Sequence, residues 1–542
     1  MPFSAECTVP PHRRWESVMA GRVAVPDSMD LGSWTARRAA IGPDHPAVTF
    51  GDETLSYAQF QHRIDCLADQ LVAGGVRSGD RVAYLGPNHS AFLISLFACA
   101  RAGATFVPLN FRLTGPELAY ILDDCGATTL IADATLTSVV DEVRSDLSID
   151  RYVAVGEASG WESFDDLLAV GTPIADPVFA DAEDVAVIMY TSGTTGRPKG
   201  AMLTHGNLFW NNINALLSFD TVSSDVTYTA APLFHIGGLN VTTLVTLQKG
   251  GHVILSGAFD PTQALSDIEK YRVTTMFGVP AMFLFMSQVP TFATADLSSL
   301  RYFICGGAPV PEPLMRAYAD RGVTFAQGYG LTETAPLALV MGIDESEKKI
   351  GAAGNKVLPL SDVRLVDATN TEVAAGQPGE ICVRGPQVMV GYWNNPGATD
   401  AAIDDDGWFH TGDVGREDDD GYVYVVDRVK DMVISGGENV YPAEVESVLY
   451  SHPAVAEVAI VGLPDAKWGE AVTAVIATAP GETVTLEELR EFAADRLARY
   501  KLPLRLEFVD ALPRNPSGKV LKFALRDRFG AESAAGATGP AV

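Results

Sequence analysis

Cysteine is scarce in this chain of 542 residues: Cys7, Cys66, Cys99, Cys125, Cys305 and Cys382 are scattered, with no C-x-x-C pair among them. That pattern argues against a disulfide framework and against zinc, and reduced, buried thiols are expected. Positive charge is short as well. Against 39 Lys and Arg stand 68 Asp and Glu, a net charge of −29, so nucleic acid and anionic lipid should be repelled. No apolar run is long enough to span a bilayer. The most membrane-like stretch, 91–109, is interrupted by Arg101, Gly103 and Pro108, which predicts a buried helix followed by a strand. His12, Arg13 and Arg14 are not followed by an apolar segment of signal-peptide length, and a cytoplasmic location is expected. Internal repeats and long low-complexity tracts are missing too.

What the chain has is an α/β rhythm: short β-branched runs at 82–85, 129–131, 152–155, 252–255 and 302–305 alternate with longer amphipathic ones. This predicts parallel sheets with crossover helices in a chain large enough for several sub-domains. Beyond about residue 355 the strands shorten and alternate, at 363–366 and 380–383, and the turns 376–379 and 406–407 break them. A small β-rich module is expected to close the large domain. Near 427–431 the pattern changes again, to a compact α+β unit with helices at 443–450 and 486–499 and a strand at 455–461. The expected division is 1–429 and 430–542, with a disordered Ala/Gly-rich tail from 530.

The segment 190–200, Tyr-Thr-Ser-Gly-Thr-Thr-Gly-Arg-Pro-Lys-Gly, is the densest in chemistry. It follows the apolar run 185–189 and gathers hydroxyls (Thr191, Ser192, Thr194, Thr195), glycines (Gly193, Gly196) and Lys199 into one turn. Glycines let backbone N–H groups approach phosphate oxygens, hydroxyls add donors, and the lysine adds charge. A Walker loop would need a second glycine where Pro198 stands and Ser or Thr after the lysine, where Gly200 stands. A flexible surface loop is the bland alternative.

Taken whole, this string resembles the signature loop of the adenylate-forming superfamily, which includes acyl-CoA synthetases, carrier-protein adenylation domains and luciferases. Further segments match it in order. By resemblance, Gly307, Ala308 and Pro309 form a wall of the adenine pocket, although a β-turn would look the same in isolation. Gln327, Gly328, Tyr329, Gly330, Thr332 and Glu333 offer an aromatic face for the base, a hydroxyl for phosphate and a carboxylate for magnesium. The resemblance assigns the metal to Thr191 and Glu333, a shell sufficient for Mg2+ once phosphates and waters complete it. Asp413 takes the ribose hydroxyls and Arg428 adds a second contact, while Lys430 falls at the family's domain hinge. A turn aspartate stays open for Asp413.

Lys519, on the Pro/Ser/Gly turn 512–520, matches the catalytic lysine of the family, and the role has a physical warrant. Joining a carboxylate to the α-phosphate brings two anions together, and a cation bridging both stabilises the transition state. Ser435, Gly436, Gly437, Glu438 and Trp468 lie in segments that look like those of acyl-CoA synthetases, which implies coenzyme A as acceptor; a tight turn and a core tryptophan remain the alternative.

On the acid side, His235 falls where related ligases place an aromatic gate, or is a core histidine. Gly330 stands where acetate-specific relatives have tryptophan and so implies a deeper pocket, with Leu239, Asn240, Met276, Phe277 and Gly278 among its walls. The chain resembles bacterial fatty-acyl-CoA synthetases over about residues 30–528. The implied reaction is ATP- and Mg2+-dependent ligation of a medium or long fatty acid, or an aromatic acid, to coenzyme A. Carrier-protein loading, amide formation and nitrite activation stay open as alternatives, and so does a homodimer. If Lys519 has the family's role, Lys519→Ala abolishes adenylation while sparing thioester formation from supplied acyl-AMP; equal loss of both steps would remove the lysine from that role.

Overall fold

The computed structural model describes residues 29–191, 197–307, 310–346, 348–355, 357–428, 431–435, 438–465, 467–514 and 520–536. Among these, the strands form an eight-stranded, a fourteen-stranded and a five-stranded sheet.

The eight-stranded sheet is parallel through Thr105–Leu109, Arg81–Leu85, Ala127–Asp133 and Arg151–Val155. Val185–Thr191 joins it in parallel and turns back antiparallel into Lys199–Thr204. The stretch expected as helix then strand is Ser90–Ala102 and Thr105–Leu109, and every residue of that helix is buried. Its all-round apolar surface needs cover on both sides. Helix Tyr57–Ala73, with a capping box at Ser56 and Gln59, supplies one of them.

The fourteen-stranded sheet begins parallel, through Val226–Thr229, Thr275–Gly278, Tyr302–Gly306 and Phe325–Gly330. It turns antiparallel at Leu337–Met341 and runs on through Gly354–Asn355 into Tyr422–Arg428 and Phe409–Glu417. The short strands expected as a closing β-rich module are therefore continuous with the large sheet, because the two-residue strand Gly354–Asn355 bridges the two parts. Under the parallel half lies an aromatic cluster: Phe303, fully buried, has Phe283, Tyr318 and Phe325 at centroid distances of 4.8, 5.5 and 5.8 Å.

Val433–Ser435 opens the five-stranded sheet, so the expected division at 429/430 falls between two sheets. Val455–Asp465 and Gly469–Thr478 form its long hairpin, on which Lys522–Gly536 packs. That helix continues to Gly536 where disorder was expected from 530, in keeping with the alanines at 531, 534 and 535, the strongest helix formers. The five described cysteines are free and buried, and Cys7 lies outside the described residues. No helix among the described residues is long and apolar enough to cross a membrane. Phe303→Ala should lower the stability of the large part by about 3–5 kcal/mol, visible as an earlier midpoint in chemical denaturation; an unchanged midpoint would separate Phe303 from the core that supports the site.

Candidate active site

The ends of the two large sheets bring the motif residues together. Thr191 and Lys199 are paired across the hairpin expected to hold phosphate, and the Thr191 hydroxyl points to the Lys199 carbonyl at 3.5 Å. Ser192, Gly193, Thr194, Thr195 and Gly196 lie outside the described residues. Below the hairpin, the Tyr190 hydroxyl donates to Asp124 Oδ2 at 2.5 Å and anchors the strand that feeds it.

On the fourteen-stranded sheet, Phe325–Gly330 leads into a single turn, Thr332–Thr334, that buries Glu333. Glu333 Oε1 accepts from the Tyr392 hydroxyl at 2.8 Å, and the Glu333 carbonyl accepts from Met389 N at 2.8 Å. The Lys199 ammonium lies over the Tyr392 ring, 4.9 Å from its centroid. Tyr392 is held in place because Gly391–Tyr392 pairs with Lys199–Thr204 and Trp393 N donates to the Gly200 carbonyl at 2.7 Å. Burial and the neighbouring Glu333 push the Tyr392 phenol well above its ordinary pKa, so it remains a donor. Sequence reasoning missed Tyr392, whose aromatic pair with Trp393 before the turn residues Asn394, Asn395 and Pro396 carries no mark of its distant partner.

The residues expected at the base and the ribose also meet. The Tyr329 hydroxyl donates to Asp413 Oδ2 at 2.7 Å, and Asp413 is nearly fully buried. A β-bulge places Asp413: between the pairs Glu380–Val414 and Cys382–His410, extra residues on the Asp413 strand leave the ladder. Gly412 supplies the positive φ of 70° that this requires. Arg428 is the backbone partner of Asp413 in the next strand. Gln327 is buried with its Nε2 unpartnered, Gly328 follows it in the strand, and Gly307 ends Tyr302–Gly306 at a φ of 84°. Ala308 and Pro309 lie outside the described residues.

The expected acyl-pocket residues are brought together only in part. Strand alternation separates Met276 from Phe277: Met276 is fully buried in the aromatic core, while Phe277 faces Gly237 and Gly306. A Cβ on Gly237 would meet the Phe277 ring at 2.9 Å, one on Gly278 would meet Phe283 at 2.9 Å, and Leu239 is fully buried. Asn240 is a structural tie, its Nδ2 donating to the Ala335 carbonyl at 2.6 Å. His235 has Nε2 buried without a partner, and burial with Arg112 nearby lowers its pKa to about 4, so the ring is neutral at neutral pH. Gly330 corrects an expectation. A Cβ there would sit 1.5 Å from the Pro336 carbonyl oxygen, so close backbone approach accounts for the glycine and pocket depth does not follow from it.

In the C-terminal part, Ser435 and Glu438 pair across a hairpin whose Gly436 and Gly437 lie outside the described residues, and Ser435 also pairs with Gly469. Trp468, next to that contact, is 40% exposed and so is no core residue. Lys430 and Lys519 lie outside the described residues. Arg514 and Val520 form a bridge that flanks the lysine's turn.

Comparison with known proteins adds to this geometry. The AMP-binding enzyme family model matches residues 35–393, and the model of the AMP-binding enzyme C-terminal domain matches 444–519. A feruloyl-CoA synthase of Amycolatopsis sp is 51% identical over 92% of this chain and 99% of its own length. A long-chain-fatty-acid–CoA ligase of Mycobacterium tuberculosis is 39% identical over 93% and 99%. The ATP-bound MatB structure from Rhodopseudomonas palustris superposes with a TM-score of 0.86 at 34% identity, covering 93% of this chain and 99% of that one.

Tyr392→Phe removes a hydroxyl that donates to Glu333 Oε1. A hydrogen bond to a charged group contributes about 1.5–3 kcal/mol, so kcat/KM for Mg-ATP should fall by about tenfold or more with the fold intact by circular dichroism. An unchanged value would show that this contact does not support the nucleotide site.

Proposed function

This chain belongs to the AMP-binding enzyme family, and from that premise we propose an ATP-dependent acid–CoA ligase that activates an aromatic carboxylic acid as its acyl-adenylate. The observation that carries the aromatic choice is similarity: 51% identity to a feruloyl-CoA synthase over nearly the full chain, against 39% to a fatty-acid ligase. Two features of the acid side support it. The Phe277 ring against Gly237 offers a flat apolar wall, and neutral His235 adds no charge. Aromatic acids suit such a lining.

In this reading the hairpin loop from Thr191 to Lys199 holds the β- and γ-phosphates, and the base lies against Tyr329 near Gln327 and Gly307. Asp413 accepts the ribose hydroxyls, with Arg428 beside it. A buried carboxylate held at one oxygen by Tyr392, on a turn that packs against the strand Lys199–Thr204 whose first residue pairs with Thr191, is a hard oxygen donor set of the kind Mg2+ takes. Glu333 and Thr191 would hold the ion, which supplies charge neutralisation on the phosphates.

The substrate carboxylate oxygen attacks the α-phosphorus, forming one P–O bond as the bond to pyrophosphate breaks, in line. Lys519 bridges the two anions while this happens. The unit from 430 then turns about Lys430 and presents Ser435, Gly436, Gly437, Glu438 and Trp468 to coenzyme A. The thiol sulfur attacks the acyl carbon, the C–O bond to AMP breaks, and the thiol proton leaves to solvent.

Pyrophosphate release with and without coenzyme A, across ferulic, cinnamic, benzoic, indoleacetic and fatty acids, tests the proposal. A hydroxycinnamic acid should show kcat/KM at least about tenfold above any fatty acid, a difference of ~1.4 kcal/mol, with AMP formation dependent on coenzyme A. A fatty acid preferred over every aromatic acid would overturn the substrate class. Turnover indifferent to coenzyme A would overturn the acceptor and leave Trp468 a surface residue.

A further inference from the structure

The strand that bears Asp413 also carries a cluster with different chemistry. Glu380 and Cys382 stand two residues apart on Pro378–Arg384 and share one face. Cys382 is the direct cross-strand partner of His410. His410 Nδ1 lies 2.9 Å from Glu380 Oε2 and 3.4 Å from Cys382 Sγ. All three ligand atoms lie within 4.8 Å of one another. A tetrahedral cation with bonds of about 2.0–2.3 Å needs N···O and N···S edges of roughly 3.3–3.6 Å, so a movement of a few tenths of an ångström would admit one.

The other ring nitrogen supports the same assignment. His410 Nε2 lies 3.7 Å from Asp404 Oδ2, a carboxylate that also accepts from Arg364 and Asn370. At this distance Asp404 is beyond hydrogen-bond range of the ring, and it stands on the side where metal-ligating histidines commonly have a carboxylate. Cys382 is buried, whereas Glu380 and His410 are partly exposed, so an ion has a path in.

We propose that Glu380, Cys382 and His410 form a binding site for a thiophilic divalent cation of the zinc and cobalt class. Sulfur and imidazole together select these ions over magnesium or calcium. Burial holds the thiol pKa up at about 12, so binding exchanges the thiol proton, released to solvent, for the sulfur–metal bond. The spacing of cysteines along the chain argued against zinc; the site escapes that test because its ligands face each other across two strands, 28 residues apart. It also touches the ribose strand, since Glu380 Oε1 accepts from Gly412 N at 2.9 Å, next to Asp413.

Titration of the tag-free, metal-free full chain with Co2+ tests this. The expected result is one equivalent bound with a thiolate-to-cobalt charge-transfer band in the near ultraviolet. That band should be absent in C382S, and the affinity should be at least about tenfold weaker in E380Q. No band in the unaltered protein, or an equal band in C382S, overturns the site. If C382S does not fold, E380Q decides by the same titration, and an unchanged affinity overturns it.

Discussion

The hydrogen bond from the Tyr392 hydroxyl to Glu333 spans the seam between the two large sheets, and the assembly of the site depends on it. Tyr392 belongs to the eight-stranded sheet through its pairing with Lys199–Thr204, whereas Glu333 follows a strand of the fourteen-stranded sheet. The Lys199 ammonium over the same ring brings the phosphate hairpin into register with that contact. Behind Glu333, Asn240 holds the Ala335 carbonyl and Asn211 accepts from Leu337 N, so the chain just after the turn carrying the carboxylate is fixed at two points. A buried carboxylate needs such partners, because an unpaired one costs several kcal/mol.

A second constraint fixes Asp413. Asp413 leaves the regular ladder at a bulge, and the Tyr329 hydroxyl and the Thr411 side chain hold it there. Rigid strands on both sides make a precise point of attachment from a locally irregular backbone. The Glu380–Cys382–His410 cluster brackets that bulge, so its hydrogen bond to Gly412 ties two chemistries to one strand segment.

Much of this was legible in the residues. The apolar run 185–189 announced the strand that ends at Thr191, and the interrupted stretch 91–109 announced its helix and strand. Tyr392 was not legible, because nothing local to 391–393 says that it faces a residue 59 positions away. Met276 was misplaced among pocket walls because apolar character does not tell one face of a buried strand from the other. Gly330 suggested space by lacking a side chain, and the Pro336 carbonyl fills that space. Long-range contact is the common term in all three.

In the proposed reaction the acid passes through an adenylate before it meets coenzyme A, and one isotope measurement tests this. Ferulic acid labelled with 18O in both carboxylate oxygens, turned over with ATP and coenzyme A, should give AMP carrying one label in its phosphate, because the attacking oxygen stays with AMP when the thiol displaces it. Unlabelled AMP, with the label in inorganic phosphate or retained entirely in acid and thioester, would contradict the adenylate route.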